Sequence, residues 1–229
     1  SVKIPYTHSG VFSSSLAMDK ELSRLIFKKN KINVPKYFLL QKDYKWEFDR
    51  KIKNKKIKFP IVIKPINEGS SLGVFICKNR TQFIRNYKKL KNEYDRILVE
   101  EYIPGKEIQV AVMGNKALGA IELVPRREFY DYTAKYSASA KTKHIMPALL
   151  SQKKYKEVLM LARKAHKLLG CRGITRSDFR FSQNKFYLLE TNTQPGMTKL
   201  SLVPEIANYC GIKFEDLVTW MVKDASSNR

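Results

Sequence analysis

GITRSDFRFSQNKFYLLETN (residues 173–192) reads as two strands, Gly173–Phe181 and Lys185–Glu190, folded back on each other around a short polar turn. Successive side chains of a strand point to opposite faces, so Arg176 and Asp178 share one face, and Glu190 and Asn192 share one as well. The turn decides whether the two pairs meet. A loop of three or five residues around Gln183–Asn184 sets Asp178 opposite Glu190 and Arg176 opposite Asn192. Two carboxylates and an amide oxygen then converge, an all-oxygen set suited to Mg²⁺, which is commonly shared between carboxylates and substrate phosphates. A two-residue loop slips the register by one and separates the acids. The competing reading is a salt-bridged exposed face, which has to accommodate an Asn and two acids among Phe179, Phe181, Leu188 and Leu189.

Outward from this hairpin, the pattern is mixed and largely antiparallel. Residues 1–15 read as a loop. Leu16 to Lys29 reads as one amphipathic helix on the apolar positions Leu16, Met18, Leu22, Leu25 and Ile26. Strands follow at Lys36–Leu40, Phe59–Lys64 and Gly73–Cys77, then a helix Thr81–Leu90 with Thr81 as N-cap. Ile97–Tyr102, Glu107–Met113 and Lys116–Leu123 are strands, Tyr155–Leu169 is a helix closed by Gly170, and Phe214–Lys223 is a terminal helix. Pro125–Met146 is a long polar segment with few helix or strand signals, and loops of that length in a compact domain are usually lids or disordered. The fold class is α+β, with a domain boundary expected near Glu101–Gly105: residues 1–15 a linker, 16–102 a first domain, 103–229 a second.

Three further segments carry chemistry. Lys64-Pro65-Ile66-Asn67-Glu68-Gly69-Ser70-Ser71-Leu72-Gly73 sets a Lys at the end of a buried strand before a loop of small residues, which can hold phosphates by charge and backbone N–H groups. It contains no GxxxxGK[ST], the chain has no GxGxxG, and a loop of this kind is otherwise a hairpin turn. Tyr130–Tyr136 places three tyrosines and Lys135 in the polar segment, which suits a closing lid as well as a loop whose aromatics pack on the surface. Thr193-Gln194-Pro195-Gly196-Met197 directly follows the acidic strand; it is a turn, or a set of N–H groups able to hold an oxyanion.

Lys+Arg 44 against Asp+Glu 21 gives a formal +23 in 229 residues. Such a charge attracts polyanions, but the lysines are scattered rather than interleaved with stacking aromatics, so a composition bias on a solvated surface is favoured over a nucleic-acid protein. Cys77, Cys171 and Cys210 are few, odd in number and widely spaced, which fits a reducing cytoplasm and argues against a disulfide framework or a zinc site. No apolar run reaches membrane-spanning length, so no membrane partner is expected. The chain opens Ser1-Val2-Lys3-Ile4-Pro5 without a Met, which reads as a piece of something longer.

Taken in order, IPYTHSGVFSSSLAMDK (4–20), IVIKPINEGSSLGV (61–74), LVEEYIPGKEIQVAV (98–112), FYDYTAKY (129–136), GITRSDFRF (173–181) and FYLLETNTQPGMTKLSLVPEIA (186–207) resemble the D-alanine–D-alanine ligases of the ATP-grasp superfamily. The resemblance covers essentially the whole chain. It implies ATP held between two small α+β domains with largely antiparallel sheets. Lys20 and Lys64 would contact the phosphates, with Glu68 and Ser71 in the loop closing over them and Lys135 reaching the γ-phosphate from the lid. Glu100, Glu101 and Ile103 would line the adenine pocket, and Glu107 would accept from the ribose hydroxyls. Asp178, Glu190 and Asn192 match the family's ligands for two Mg²⁺ (or Mn²⁺) ions. Arg176 and the backbone N–H of Gly196 would stabilise a tetrahedral oxyanion, and Ser201 and Leu202 would hold the second substrate's carboxylate.

The implied reaction joins two D-alanines through an acyl phosphate, in the cytoplasm, for peptidoglycan precursor synthesis. A homodimer is compatible with the resemblance; nucleic acid is not an implied partner. Tyr136 matches the family's lid tyrosine, hydrogen-bonded to the loop serine, here Ser70, and favours an amine over a hydroxy acid as second substrate. The pattern departs at three places: the N-terminal domain, with a Glu that completes the Ser–Tyr network, is missing; His8 stands for the common Gly; and Leu200 stands where several members have His. The alternatives are another ATP-grasp carboxylate–amine ligase, or a fragment that binds ATP without turnover.

Overall fold

A computed structural model describes residues 3–41, 47–69, 71–124, 142–198 and 201–227. Ser70, Lys135, Tyr136 and Leu200, and with them the expected lid, lie outside the described residues.

The first sheet has the order β1-β4-β2-β3, from β1 (Tyr37–Gln41), β2 (Ile61–Pro65), β3 (Phe75–Cys77) and β4 (Arg96–Glu101), every neighbouring pair antiparallel. Alternation along its strands divides its faces. Phe38, Leu40, Ile61, Ile63, Ile97 and Val99 bury against Phe48 of helix α3 (Phe48–Asn54) and against Phe83, Tyr87 and Leu90 of helix α4 (Arg80–Glu93). Val62, Lys64, Leu98 and Glu100 therefore take the other face.

The second sheet has the order β7-β6-β5-β8-β9, from β5 (Lys106–Met113), β6 (Lys116–Val124), β7 (Lys143–Ile145), β8 (Ile174–Ser182) and β9 (Lys185–Asn192). Ile108, Val110, Ala120, Phe179 and Leu188 pack against Val158, Ala162 and Ala165 of helix α5 (Gln152–Leu168). On the opposite face, helices α6 (Leu202–Tyr209) and α7 (Phe214–Asp224) cover Ala111, Ile121 and Leu123. The chain passes from one sheet to the other between Glu101 and Lys106. No helix among the described residues is long and apolar enough to cross a membrane.

Several local expectations are corrected. The stretch 16–29 is not one helix but the end of α1 (Val11–Met18) and all of α2 (Lys20–Lys29), broken at Asp19, whose carboxylate accepts from Glu21 N and Leu22 N and so caps α2. The buried face of α2 is Lys20, Ser23, Arg24 and Phe27, while Met18, Leu22 and Leu25 stand about half exposed. Ala17, Phe27 and Ile32 join the core of the second sheet, although they precede the first in the chain. Asn79, not Thr81, caps α4, accepting from Gln82 N at 3.0 Å. Within the polar segment 125–146, Lys143–Ile145 forms an edge strand on β6. Helix α6 escapes a reading that treats proline as a breaker, because Pro204 falls in its first turn, where a missing N–H removes no hydrogen bond.

Candidate functional site

The β8–β9 turn is the two-residue one that should have separated the acids. Ser182 pairs with Lys185, Phe181 with Phe186 and Phe179 with Leu188, while Gln183 and Asn184 turn the chain at φ 47° and 60°. The register then shifts by one, and Asp178 pairs with Glu190, Ser177 with Thr191 and Arg176 with Asn192. Leu189 is the extra residue of a β-bulge. Continued without it, the pairing would put Glu190 opposite Ser177, on the side of the core. The bulge undoes the slip made by the turn, and the acids share a face after all.

Rows of side chains run across that face. Glu107 stands opposite Arg180; Gln109 opposite Asp178, itself opposite Glu190; Ala111 opposite Arg176, itself opposite Asn192. Arg176 donates from Nε and Nη2 to both oxygens of Asp178, at 2.8 and 2.9 Å. Arg180 donates to the carbonyls of Ile103 (3.0 Å) and Gly105 (2.8 Å), with Nη1 3.4 Å from Glu107, and so ties β8 to the connection between the sheets. Gly105 is required there: its φ is +103°, and a Cβ would lie 2.3 Å from the Phe181 carbonyl oxygen.

Across the cleft, the first sheet and α2 bring up cations. Lys64 Nζ lies 2.8 Å from Glu100 Oε1, Arg24 pairs with Glu100 Oε2, and Lys20 Nζ lies 3.5 Å from Glu190 Oε2 and donates to the Glu68 carbonyl. Lys20 and Arg24 are four apart on α2 and so share its inner face. Within this ion-paired group three cations (Lys20, Arg24, Lys64) meet two carboxylates (Glu100, Glu190). This local positive surplus favours an anion beside Lys20 and Lys64, while Glu68, Glu101, Glu107 and Asp178 add negative charge elsewhere along the cleft. Burial pushes the Lys64 ammonium below the ordinary lysine range, Glu100 pulling it back. Burial alone would raise the Glu100 carboxyl, but the Arg24 and Lys64 charges outweigh it and hold the group below its ordinary value.

Between the sheets lies a cleft of about 860 Å³, open space included, within the range of sites for small molecules and cofactors. Lys20, Lys64, Glu68, Ser71, Glu100, Glu101, Ile103, Glu107, Asp178 and Glu190, singled out from sequence, all line it. Asn192, Arg176, Gly196, Ser201 and Leu202 do not. Asn192 Oδ1 accepts from Gln194 N at 2.9 Å. Ser201 sits at the N-cap of α6 with Leu202 as its first residue, and its Oγ accepts from Thr198 N at 3.0 Å. Gly196 lies against it, since a Cβ on Gly196 would come 2.9 Å from Ser201 Oγ.

Arg180, Tyr102 and Leu189 line the cleft and Arg24 sits behind it, and sequence reasoning singled out none of them. Arg180 was legible, being the next residue on the Arg176–Asp178 face. Arg24 was hidden by the apolar residues at Leu22 and Leu25, which drew the inner face of α2 to the wrong side.

The oxygen donors of Asp178, Glu190 and Asn192 fit a hard cation, and among the described residues there is no group of three or more His, Cys, Asp or Glu that could hold a metal.

Comparison with known proteins bears on the whole chain. Residues 26–223 match the family described as D-ala D-ala ligase C-terminus. The chain is 60% identical over 227 residues to a D-alanine–D-alanine ligase of Pelagibacter ubique (strain HTCC1062), covering 99% of this chain and 74% of that protein. It is 44% identical over 234 residues to a ligase of the same name from Rhodopseudomonas palustris (strain BisA53), covering 99% and 73%. Among solved structures, a D-alanine–D-alanine ligase from Bacillus anthracis superposes with a TM-score of 0.85 at 32% identity, covering 96% of this chain and 71% of that one. Its complex with ATP superposes with a TM-score of 0.82 at 28% identity, covering 96% and 70%.

Proposed function

The chain belongs to the D-alanine–D-alanine ligase family, and from that we propose that it is the ATP-binding and catalytic part of an enzyme that joins two D-alanines for peptidoglycan precursor synthesis in the cytoplasm. The observation that carries this reading is the meeting of two polar faces in one cleft: Lys20 and Lys64 on one side, and the row of Asp178 and Glu190 on the other. A nucleoside triphosphate needs both, cations for its oxygens and carboxylates for the divalent ion that accompanies it.

ATP lies between the two sheets, divided near Glu101–Gly105, with its base toward Glu100, Glu101 and Ile103 and its ribose hydroxyls donating to Glu107. Lys20 and Lys64 bind phosphate oxygens, under the loop of Glu68, Ser70 and Ser71. Asp178, Glu190 and Asn192 would hold Mg²⁺ or Mn²⁺, two ions, which when bound neutralise phosphate charge. A carboxylate oxygen of the first D-alanine takes the γ-phosphoryl group and ADP leaves. The amine of the second D-alanine attacks the acyl carbon, loses a proton, and inorganic phosphate departs as the amide forms.

Arg176 and Gly196 N–H stabilise the oxyanion of that attack, and fixed donors of this kind contribute typically about 3–4 kcal/mol each. Ser201 and Leu202 hold the acceptor's carboxylate at the start of α6, where free N–H groups and the helix dipole favour an anion. Lys135 and the Tyr136–Ser70 pair act from the lid.

The test is phosphate release by the complete protein with ATP, Mg²⁺ and D-alanine. Release that needs all three, and that falls at least a hundredfold or so in Asp178→Asn, is expected. Release independent of D-alanine, or an Asp178→Asn protein as active as the unaltered one, sinks the reading. Screening other amino acids and D-lactate as acceptors separates this ligase from relatives with a different second substrate.

A further inference from the structure

Arg24 heads the large, fully buried side chains at 0% exposure, yet it lines no part of the cleft. Its Cζ lies 5.3 Å from the centroid of the Tyr37 ring, and Nη2 donates to the carbonyl of Leu189, the bulged residue, at 3.4 Å. Its one counter-charge among the described residues is Glu100. Nε and Nη1 meet no hydrogen-bond acceptor among those residues. A buried cation with idle donors costs stability, and here the one compensating charge, Glu100, stands in the cleft wall.

Glu100 does line the cleft. Each of its oxygens meets one cation, Lys64 at Oε1 and Arg24 at Oε2. An ionised carboxylate has about four lone-pair positions and no hydrogen to give, so Glu100 can still accept. A purine that presents an amino group supplies the missing hydrogen. One that presents a carbonyl at the same place sets acceptor against acceptor. The two cations differ in what they can do next. Lys64 reaches into the cleft on a flexible stem and, on the reading above, turns to a phosphate. Arg24 is walled in and always charged, so it alone stays on Glu100 when a nucleotide is bound.

We propose that Arg24 is a positioning residue that sets the purine choice of this cleft, holding Glu100 as a fixed, acceptor-only carboxylate and so favouring adenine over guanine nucleotides. This rests on the nucleotide reading of the cleft. Without Arg24, Glu100 is free to follow Lys64 or to take a proton, and a protonated carboxyl donates to a carbonyl as readily as it accepts from an amine.

The experiment is displacement of a fluorescent ATP analogue by ATP and by GTP, with Mg²⁺ at neutral pH, from the complete protein and its Arg24→Met and Arg24→Lys variants, with melting temperatures measured alongside. The unaltered protein should prefer ATP, Arg24→Met should shrink the ATP:GTP affinity ratio by about tenfold or more, and Arg24→Lys, which keeps the charge without the fork, should fall between. A purely structural role would lower the melting temperature and weaken both nucleotides alike; an unchanged ratio in either variant overturns the proposal. If Arg24→Met does not fold, the Arg24→Lys ratio decides alone. Should the unaltered protein bind neither nucleotide, the nucleotide reading falls and this proposal with it. ATP preference retained in all three proteins removes only the role of Arg24.

Discussion

Replacing Glu100 with Gln should destabilise the protein far more than a one-atom change suggests. Glu100 is 4% exposed in its side chain and balances two cations, Arg24 at 0% and Lys64 at 7%. Gln keeps the shape and removes the charge. Lys64 can turn its ammonium into the cleft, but Arg24 can neither move out nor lose its proton. Breaking a buried pair by removing one partner costs about 3–5 kcal/mol. For a chain of this length each kcal/mol lowers the melting temperature by about 2–4 °C, so a drop of about 6–20 °C is expected. Thermal and urea unfolding at neutral pH measure it.

The double variant Arg24→Met/Glu100→Gln removes both charges together, and its loss should fall well short of the sum of the two single losses. Acid provides a second check. The folded-state pKa of Glu100 lies below its ordinary 4.5. Its contribution is therefore full above that value and is lost as pH falls through the folded pKa, so the gap between the unaltered protein and Glu100→Gln should narrow there. A loss under about 1 kcal/mol, or strictly additive variants, would refute the claim that Arg24 depends on Glu100.

Two further outcomes follow from particular contacts. His166 is buried, hydrogen-bonded to Thr175 at 2.8 Å, and burial pushes its pKa down from 6.5 to about 4. The unfolded chain takes a proton in that window and the folded one does not, so stability should decline by roughly 3 kcal/mol from pH 6.5 to 4. Urea midpoints for His166→Gln should lack most of that slope; a curve parallel to the unaltered protein's would count against it. Gly196→Ala sets a Cβ 2.9 Å from Ser201 Oγ, and the displaced serine should lower ligation by about ten- to hundredfold while ATP affinity barely changes. Steady-state rates beside nucleotide titration separate the two, and full activity would show that the Gly196–Ser201 contact is unimportant.

How far the site could be read depended on which interactions were local. Lys64, Glu68, Glu100, Glu107, Asp178 and Glu190 sit on strands or adjoining loops whose alternation or small residues are visible in a few neighbouring letters, and all line one cleft. Helix α2 misled because its core-facing side is polar: Leu22 and Leu25 point outward, while Lys20 and Arg24 turn in toward Glu190 and Glu100. A hydrophobic pattern detects burial by apolarity, and it fails where burial is offset by charge pairing with a distant strand.

The sequence by itself determined that the chain alternates helices with antiparallel strands, that Arg176, Asp178, Glu190 and Asn192 belong to one hairpin, and that a Lys precedes a loop of small residues. These depend on periods of two and 3.6 and on turn chemistry, all short-range properties. Only the tertiary structure decided that Asp178 faces Glu190. A two-residue turn sets one register, and a bulge at Leu189 resets it within five residues of that turn. Nothing in the hairpin's own letters selects the bulge; the packing of Leu188 in the core and the bond from Arg24 to the Leu189 carbonyl, both made by elements far away in the chain, hold it in place.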